Sequence, residues 1–183
     1  SGPSGYTECR INKTNGSSYS VCEPGLSHKA ITVGSTQSGK SGPQDVISRF
    51  SSRGPTTDGR IKPDVTAPGE VITSTWKDGS FASESGTSMA TPHVAGLAAL
   101  ILQARNMTPE EVKALLMNTA VDLESPGKDN SYGAGRINAS RVFDEINNTI
   151  RSTIEIDYKA HNIFVPAGSK EIRVTLYWPE NYS

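Results

Sequence analysis

Ser85-Gly86-Thr87-Ser88-Met89-Ala90-Thr91-Pro92-His93-Val94-Ala95-Gly96, running on as Leu97-Ala98-Ala99-Leu100-Ile101-Leu102, is the stretch that decides the fold. Small and hydroxylated residues come first, and no charge follows until Arg105. The pattern predicts a loop feeding a helix buried on every side, because no polar stripe recurs at helical spacing. It is too short to span a bilayer. Ser88 falls in the first turn, where unpaired backbone N–H groups and the positive end of the helix dipole favour negative charge. A serine there has the setting of an acyl-transfer nucleophile, since the same N–H groups can hold a developing oxyanion. Gly86 beside it lets a substrate backbone come close. Serine is also a common helix cap, so a bare G-x-S does not separate the two roles.

Composition narrows the rest. At 183 residues the chain is long enough for one domain with a sizeable core. A formal net charge of −1, with acids and bases nearly balanced, argues against a nucleic-acid or polyanion partner. No stretch has the form of a signal peptide or membrane span. The opening Ser1-Gly2-Pro3-Ser4-Gly5, without an initiator Met, reads as the start of a cut piece. Cys9 and Cys22 flank a polar loop rich in Asn, Gly and Ser. A pair closing such a loop suits a disulfide in an oxidising compartment, worth roughly 3 kcal/mol by loop entropy; two free thiols are the other reading, and no third ligand stands near for a metal. Sequons at Asn12, Asn15, Asn106, Asn138, Asn147 and Asn181 lend weak support to a secreted glycoprotein.

In chain order, residues 1–27 read as surface loop, Ala30-Ile31-Thr32-Val33-Gly34 as a buried strand, Val46–Phe50 as another, and Val71–Thr75 as a third. Asp58-Gly59 and Asp78-Gly79 are turn signals, and Asp64, between Pro63 and Val65, fixes local backbone. Thr108-Pro109-Glu110-Glu111 is a helix start with a capping box, and Val112, Leu115, Leu116 and Ala120 line its inner face. A last helix is predicted from Ala139 to about Asn147. Beyond Ser152, Thr153–Tyr158 and Glu171–Trp178 alternate with period two, the texture of antiparallel strands. His93 lies five residues past Ser88, about 140° around a helix axis; it cannot be that serine's base and reads as a packed, hydrogen-bonded histidine. Pro92 leaves the Ser88 carbonyl without its helical donor, so a slightly opened first turn is expected.

Taken whole, Gly86 to Gly96 resembles the nucleophile segment of the subtilisin-like serine peptidases, G-T-S-M-A-x-P-H-V-A-G. Ile31–Gly34, Phe50–Pro55, Pro63–Gly69 and Tyr132–Ala139 are similar to other landmarks of that family, in its order. The resemblance implies an α/β fold, part of a three-layer structure built on a parallel sheet. Residues 1–150 would be the carboxyl-terminal part of the catalytic domain, and 151–183 the truncated start of an antiparallel β-sandwich. It implies Ser88 as nucleophile, with Gly86, Thr87 and Met89 next to the oxyanion and substrate, and Met89 open to oxidation. The family's aspartate sits in D-x-G and its histidine in H-G-T, ahead of the serine; neither motif occurs here. The family's oxyanion asparagine sits in A-G-N, often followed by Ser-Gly-Pro, which places it just before Ser1. The implied partners are a peptide or protein substrate and the missing N-terminal part of the same catalytic domain, with no nucleic acid and no membrane, in a secreted or otherwise extracytoplasmic location. Calcium is common in the family, but no acidic cluster assigns a site. The competing readings are a non-catalytic scaffold that keeps the fold and an unrelated esterase using Ser88 with a local base.

Overall fold

The computed structural model describes residues 21–40 and 42–148, the backbone of 12–14 and 17–19, and the isolated positions 168 and 174. The predicted strands Thr153–Tyr158 and Glu171–Trp178, Val174 apart, and hence the division at residue 150, lie outside the described residues. Within the polar loop between the cysteines, β1 (Asn12–Thr14) and β2 (Ser17–Tyr19) form a short antiparallel hairpin that the loop composition does not announce.

The centre is a parallel pair, β3 (Val33–Thr36) and β4 (Val65–Pro68), in register from Val33 opposite Val65 to Thr36 opposite Pro68. Parallel strands need a crossover between them, and the turn-rich segment 37–64 supplies it. Gly34 permits the close approach: a Cβ there would lie 2.9 Å from Thr66 Cγ2 and 3.0 Å from Pro63 Cγ. The strand starts later than its sequence suggests and runs past Gly34, because pairing with β4 begins only at Val33. On the other side of β4, the Thr66 N–H donates to the Gly135 carbonyl (2.8 Å) and the Ile137 N–H to the Thr66 carbonyl (3.0 Å). The glycine turn therefore brings residues 135–137 alongside the sheet. Gly133 and Gly135 have φ of 62° and 113°, and a Cβ on either would collide with backbone of Asp64 or Val121.

β4 leads into an exposed antiparallel hairpin, β5 (Ile72–Thr75) and β6 (Phe81–Glu84), closed by the Asp78-Gly79 turn. The chain then enters α1 (Thr87–Ala104), which packs on β3 and β4. α2 (Pro109–Thr119) carries the predicted capping box between Thr108 and Glu111. α3 (Ala139–Glu145), capped by Asn138 and continued by a 3-10 turn over Ile146–Asn148, packs against α2 and α1. Val65, Ala67, Ala90, Val94, Leu97, Ile101, Val112, Leu115, Leu116 and Val142 form one core. Each fully buried Ile, Leu or Val there contributes about 1.5–3 kcal/mol.

Two expectations need correction, and one strand is new. α1 is not buried on every side: only Ala90, Val94, Leu97 and Ile101 are, a single stripe facing the sheet, while Leu100 and Leu102 are each 51% exposed. An all-apolar helix does not encode which of its flanks is covered. Val46–Phe50 is not a strand but a turn with one bridging residue, Ile47 opposite Thr36; the Tyr132 hydroxyl takes the Ile47 N–H at 3.0 Å and fixes it as a loop. Phe81–Glu84, to which no element was assigned from sequence, is a strand, because the Asp-Gly turn folds it back on β5.

Candidate active site

The site is built where the parallel strands end. Just past β4, the Gly69 N–H donates to the Thr36 carbonyl at 2.9 Å, and the Gly69 carbonyl accepts the Gly86 N–H at 2.8 Å. The start of α1 is thereby tied to the carboxyl ends of β3 and β4, the position at which α/β sheets present functional groups. Gly69 must be glycine, since a Cβ would run into Ser35 Oγ and the Gly86 carbonyl oxygen. Beneath it, Ser35 Oγ and Ser48 Oγ share a hydrogen bond of 2.8 Å, and Ser51 Oγ accepts the Ser35 N–H at 3.0 Å.

Gly86 is the N-cap of α1 and no side chain caps the helix, so Ser88 is not the capping serine of the alternative reading. It is the second residue of the helix, exposed, and its side chain forms no hydrogen bond with any described residue. The Gly86 carbonyl takes the Met89 N–H (3.0 Å) and the Ala90 N–H (3.3 Å). The N–H groups of Thr87 and Ser88 have no acceptor among the described residues. A hydroxyl so placed can attack an acyl carbon once a base takes its proton, and the two unspent amides at the positive helix end can stabilise the oxygen that becomes charged. Around Gly86 the described residues leave open space except for Met89 Sδ and Ser88, and Thr87 and Met89 are half-buried beside it.

His93 is hydrogen-bonded but not packed. It is exposed, and its Nδ1–H donates to the Met89 carbonyl at 2.9 Å. Helix α1 runs through Pro92 unbroken, and Thr91 Oγ1 donates to the Thr87 carbonyl one turn back. Among the described residues, neither a histidine nor a carboxylate hydrogen-bonds Ser88.

Asp64 belongs to a different network. It is 2% exposed, and its Oδ2 accepts the Thr32 N–H at 2.9 Å, the backbone role its sequence context suggests. It also meets three ammonium groups, Lys62 at 2.7 Å, Lys113 at 3.2 Å and Lys128 at 3.3 Å. Burial pushes the carboxyl up, but Lys113, Lys62 and the Thr32 N–H together hold it below the ordinary aspartate value. Lys62, equally buried, is pulled down by desolvation against the opposing pull of Asp64. Its Nζ also donates to the carbonyls of Ser27 and Ala30 and to Thr32 Oγ1, and Lys113 Nζ donates to the carbonyls of His28 and Ala30. Sequence reasoning missed this cluster. Two signals were available: Lys62 and Asp64 two apart at a strand start, on one side of the chain, and Lys113 inside the apolar set of α2.

Asp58 serves its turn, bonded by Arg60 Nε at 2.8 Å and by Thr56 Oγ1, which pull its carboxyl down to about 2. Among the described residues, no three His, Cys, Asp or Glu side chains are grouped to hold a metal ion. No helix of the described residues is long and apolar enough to cross a membrane. Cys9 lies outside the described residues.

Residues 11–135 match the model of the subtilase family. The chain is 43% identical over 139 residues to the serine protease AprX of Bacillus subtilis, covering 67% of this chain and 31% of that protein. It is 35% identical over 146 residues to the minor extracellular protease Vpr of the same organism, covering 75% of this chain and 18% of that protein. Among solved structures, the CspB protease of Clostridium perfringens superposes with a TM-score of 0.61 at 32% identity, over 70% of this chain and 29% of that one. The chain thus spans less than a third of each of these relatives. With a match across most of its length, and the nucleophile-type segment at the carboxyl end of a parallel sheet, the chain belongs to the subtilase family.

Proposed function

We propose that this chain supplies the nucleophile of a subtilisin-like serine endopeptidase, acting on peptide bonds through an acyl-enzyme. The observation that carries the reading is the exposed Ser88 hydroxyl in the first turn of α1, beside the unspent N–H groups of Thr87 and Ser88. Ser88 Oγ attacks the scissile carbonyl and the carbonyl oxygen takes up the charge, which the Ser88 N–H stabilises. A histidine from upstream polypeptide accepts the serine proton and returns it to the leaving amine, and an upstream aspartate orients that histidine. Gly86 leaves room for the substrate backbone, and Thr87 and Met89 flank it. Met89, next to the nucleophile, is the site at which oxidation would inactivate the enzyme.

The upstream polypeptide is the N-terminal part of the same catalytic domain. Two facts support this: Leu100 and Leu102 leave a flank of α1 uncovered by described residues, and the relatives are more than three times as long as the matched portion. In this reading residues 1–150 complete the catalytic domain and 151–183 begin a β-sandwich. The protein is secreted or otherwise extracytoplasmic, carries a Cys9–Cys22 bridge, supported by the lack of a free thiol at Cys22, and is open to glycosylation at exposed sequons such as Asn106.

The test compares the 183-residue chain with the longer polypeptide that contains it. The longer form is expected to cleave a peptide substrate and to bind a fluorophosphonate at Ser88, and Ser88→Ala is expected to abolish both. The 183-residue chain alone is expected to do neither. Turnover by the short chain that is lost on Ser88→Ala would instead favour the esterase reading. A longer form that lacks turnover and labelling would favour the scaffold.

A further inference from the structure

Val71 is a β-branched residue with φ of 52°, inside the left-handed region that such side chains avoid. It sits between Gly69, which ends the β4 segment, and the hairpin β5–β6. In this conformation its N–H donates to Ser85 Oγ at 2.9 Å. Two residues away in the same pair of segments, the Gly86 N–H donates to the Gly69 carbonyl at 2.8 Å. Residues 69–71 and 85–86 are therefore clasped by two hydrogen bonds, one from each segment to the other. The Gly86 carbonyl then anchors the first turn of α1 through Met89 and Ala90.

We propose that Ser85 is a positioning residue for Ser88. Its hydroxyl keeps Val71 in the left-handed conformation, and so keeps the Gly69 carbonyl where it fixes the Gly86 peptide and the helix start that carries the nucleophile. The proposal rests on the peptidase reading for its kinetic part and on geometry alone for the clasp. Ser85 is exposed and outside the core, so replacing it leaves the fold intact while releasing the Val71 N–H. Strain of this kind persists only where the surroundings over-determine it, and it gathers at functional sites.

The experiment uses the longer polypeptide for kinetics and amide hydrogen exchange for the clasp. Ser85→Ala is expected to speed exchange at the Val71 and Gly86 amides and to lower kcat roughly three- to tenfold, the worth of one hydrogen bond, with KM unchanged. Ser85→Thr, which keeps an oxygen at the same place, is expected to restore both readouts. In a Val71→Asn background, where the left-handed conformation costs less, Ser85→Ala is expected to lower kcat less than twofold. Three results would overturn the proposal: unchanged exchange at Gly86, faster exchange with kcat intact, or a kcat loss that Val71→Asn does not diminish. The peptidase reading fails separately, through an Ser88→Ala variant that still turns over, and that outcome leaves the exchange measurement valid.

Discussion

Replacing Asp64 by Asn removes the one carboxylate that three ammonium groups share while keeping the side chain's shape. Removing one partner of a buried pair costs about 3–5 kcal/mol, because the remaining charge stays buried and unanswered. Here Lys62 keeps three other oxygen partners and Lys113 keeps two, which puts the loss at the lower end, about 3 kcal/mol. For a chain of this size that is a fall in Tm of roughly 6–12 °C. The pH dependence follows from the direction of the shift. Asp64 is held below its ordinary value of 3.8 in the folded protein. Its contribution is thus fully present above that value and is lost as pH falls through the lower folded one. Wild type and Asp64→Asn should differ most near neutral pH and converge in acid. At the alkaline end, Lys62 without its carboxylate titrates lower still, so the variant recovers stability as pH rises through that value. Urea unfolding followed by circular dichroism, from pH 3 to pH 10, measures both limbs. A loss below about 1 kcal/mol at pH 7, or a gap that stays constant into acid, would refute the cluster as a net stabilising unit.

Two further outcomes are expected. Gly135→Ala forces a φ of 113° on alanine and drives its Cβ into the Val121 carbonyl, so it should cost more than about 3 kcal/mol; Gly59→Ala, at 84° with nothing within 4 Å, should cost only about 1–2, and equal losses in thermal unfolding would sink the steric argument. Ile101→Ala should cost about 2–5 kcal/mol in any form of the protein, whereas Leu102→Ala should be nearly silent in the 183-residue chain and costly in the longer polypeptide, where the proposed upstream part covers α1; a silent Leu102→Ala in both contradicts that covering.

Much of this is legible in the sequence. The capping box at Thr108, the turns at Asp58-Gly59 and Asp78-Gly79, and the glycine turn at Tyr132–Gly135 are local chemistry, and local chemistry is written in adjacent residues. The place of Ser88 in the first turn of a helix was legible for the same reason. What escaped depends on residues far apart in sequence. Val46–Phe50 has strand composition, but Tyr132 decides its backbone from 85 positions away. The apolar face of α1 that meets the sheet cannot be told from its other faces when all are apolar. Lys62 and Lys113 look like solvated charges until the chain brings both to Asp64. In the site itself, the position of Ser88 at a helix start was readable, while the hydrogen bonds that join residues 69–71 to 85–86 were not, because a left-handed valine leaves no mark in a sequence.

The Asp64 cluster also bears on how the chain reaches its folded state. Its participants come from four separate stretches, at Thr32, Lys62, Lys113 and Lys128, so no two neighbouring elements can complete it early. A form that lacks α2 or the 121–136 loop leaves Lys62 and Asp64 paired but without Lys113 or Lys128, so the carboxylate is short of the partners that its burial requires. Partial structures are thereby made unfavourable, and the docking of α2, the β4 strand and the 121–136 loop is expected to occur as one concerted step rather than as a sequence of stable halts.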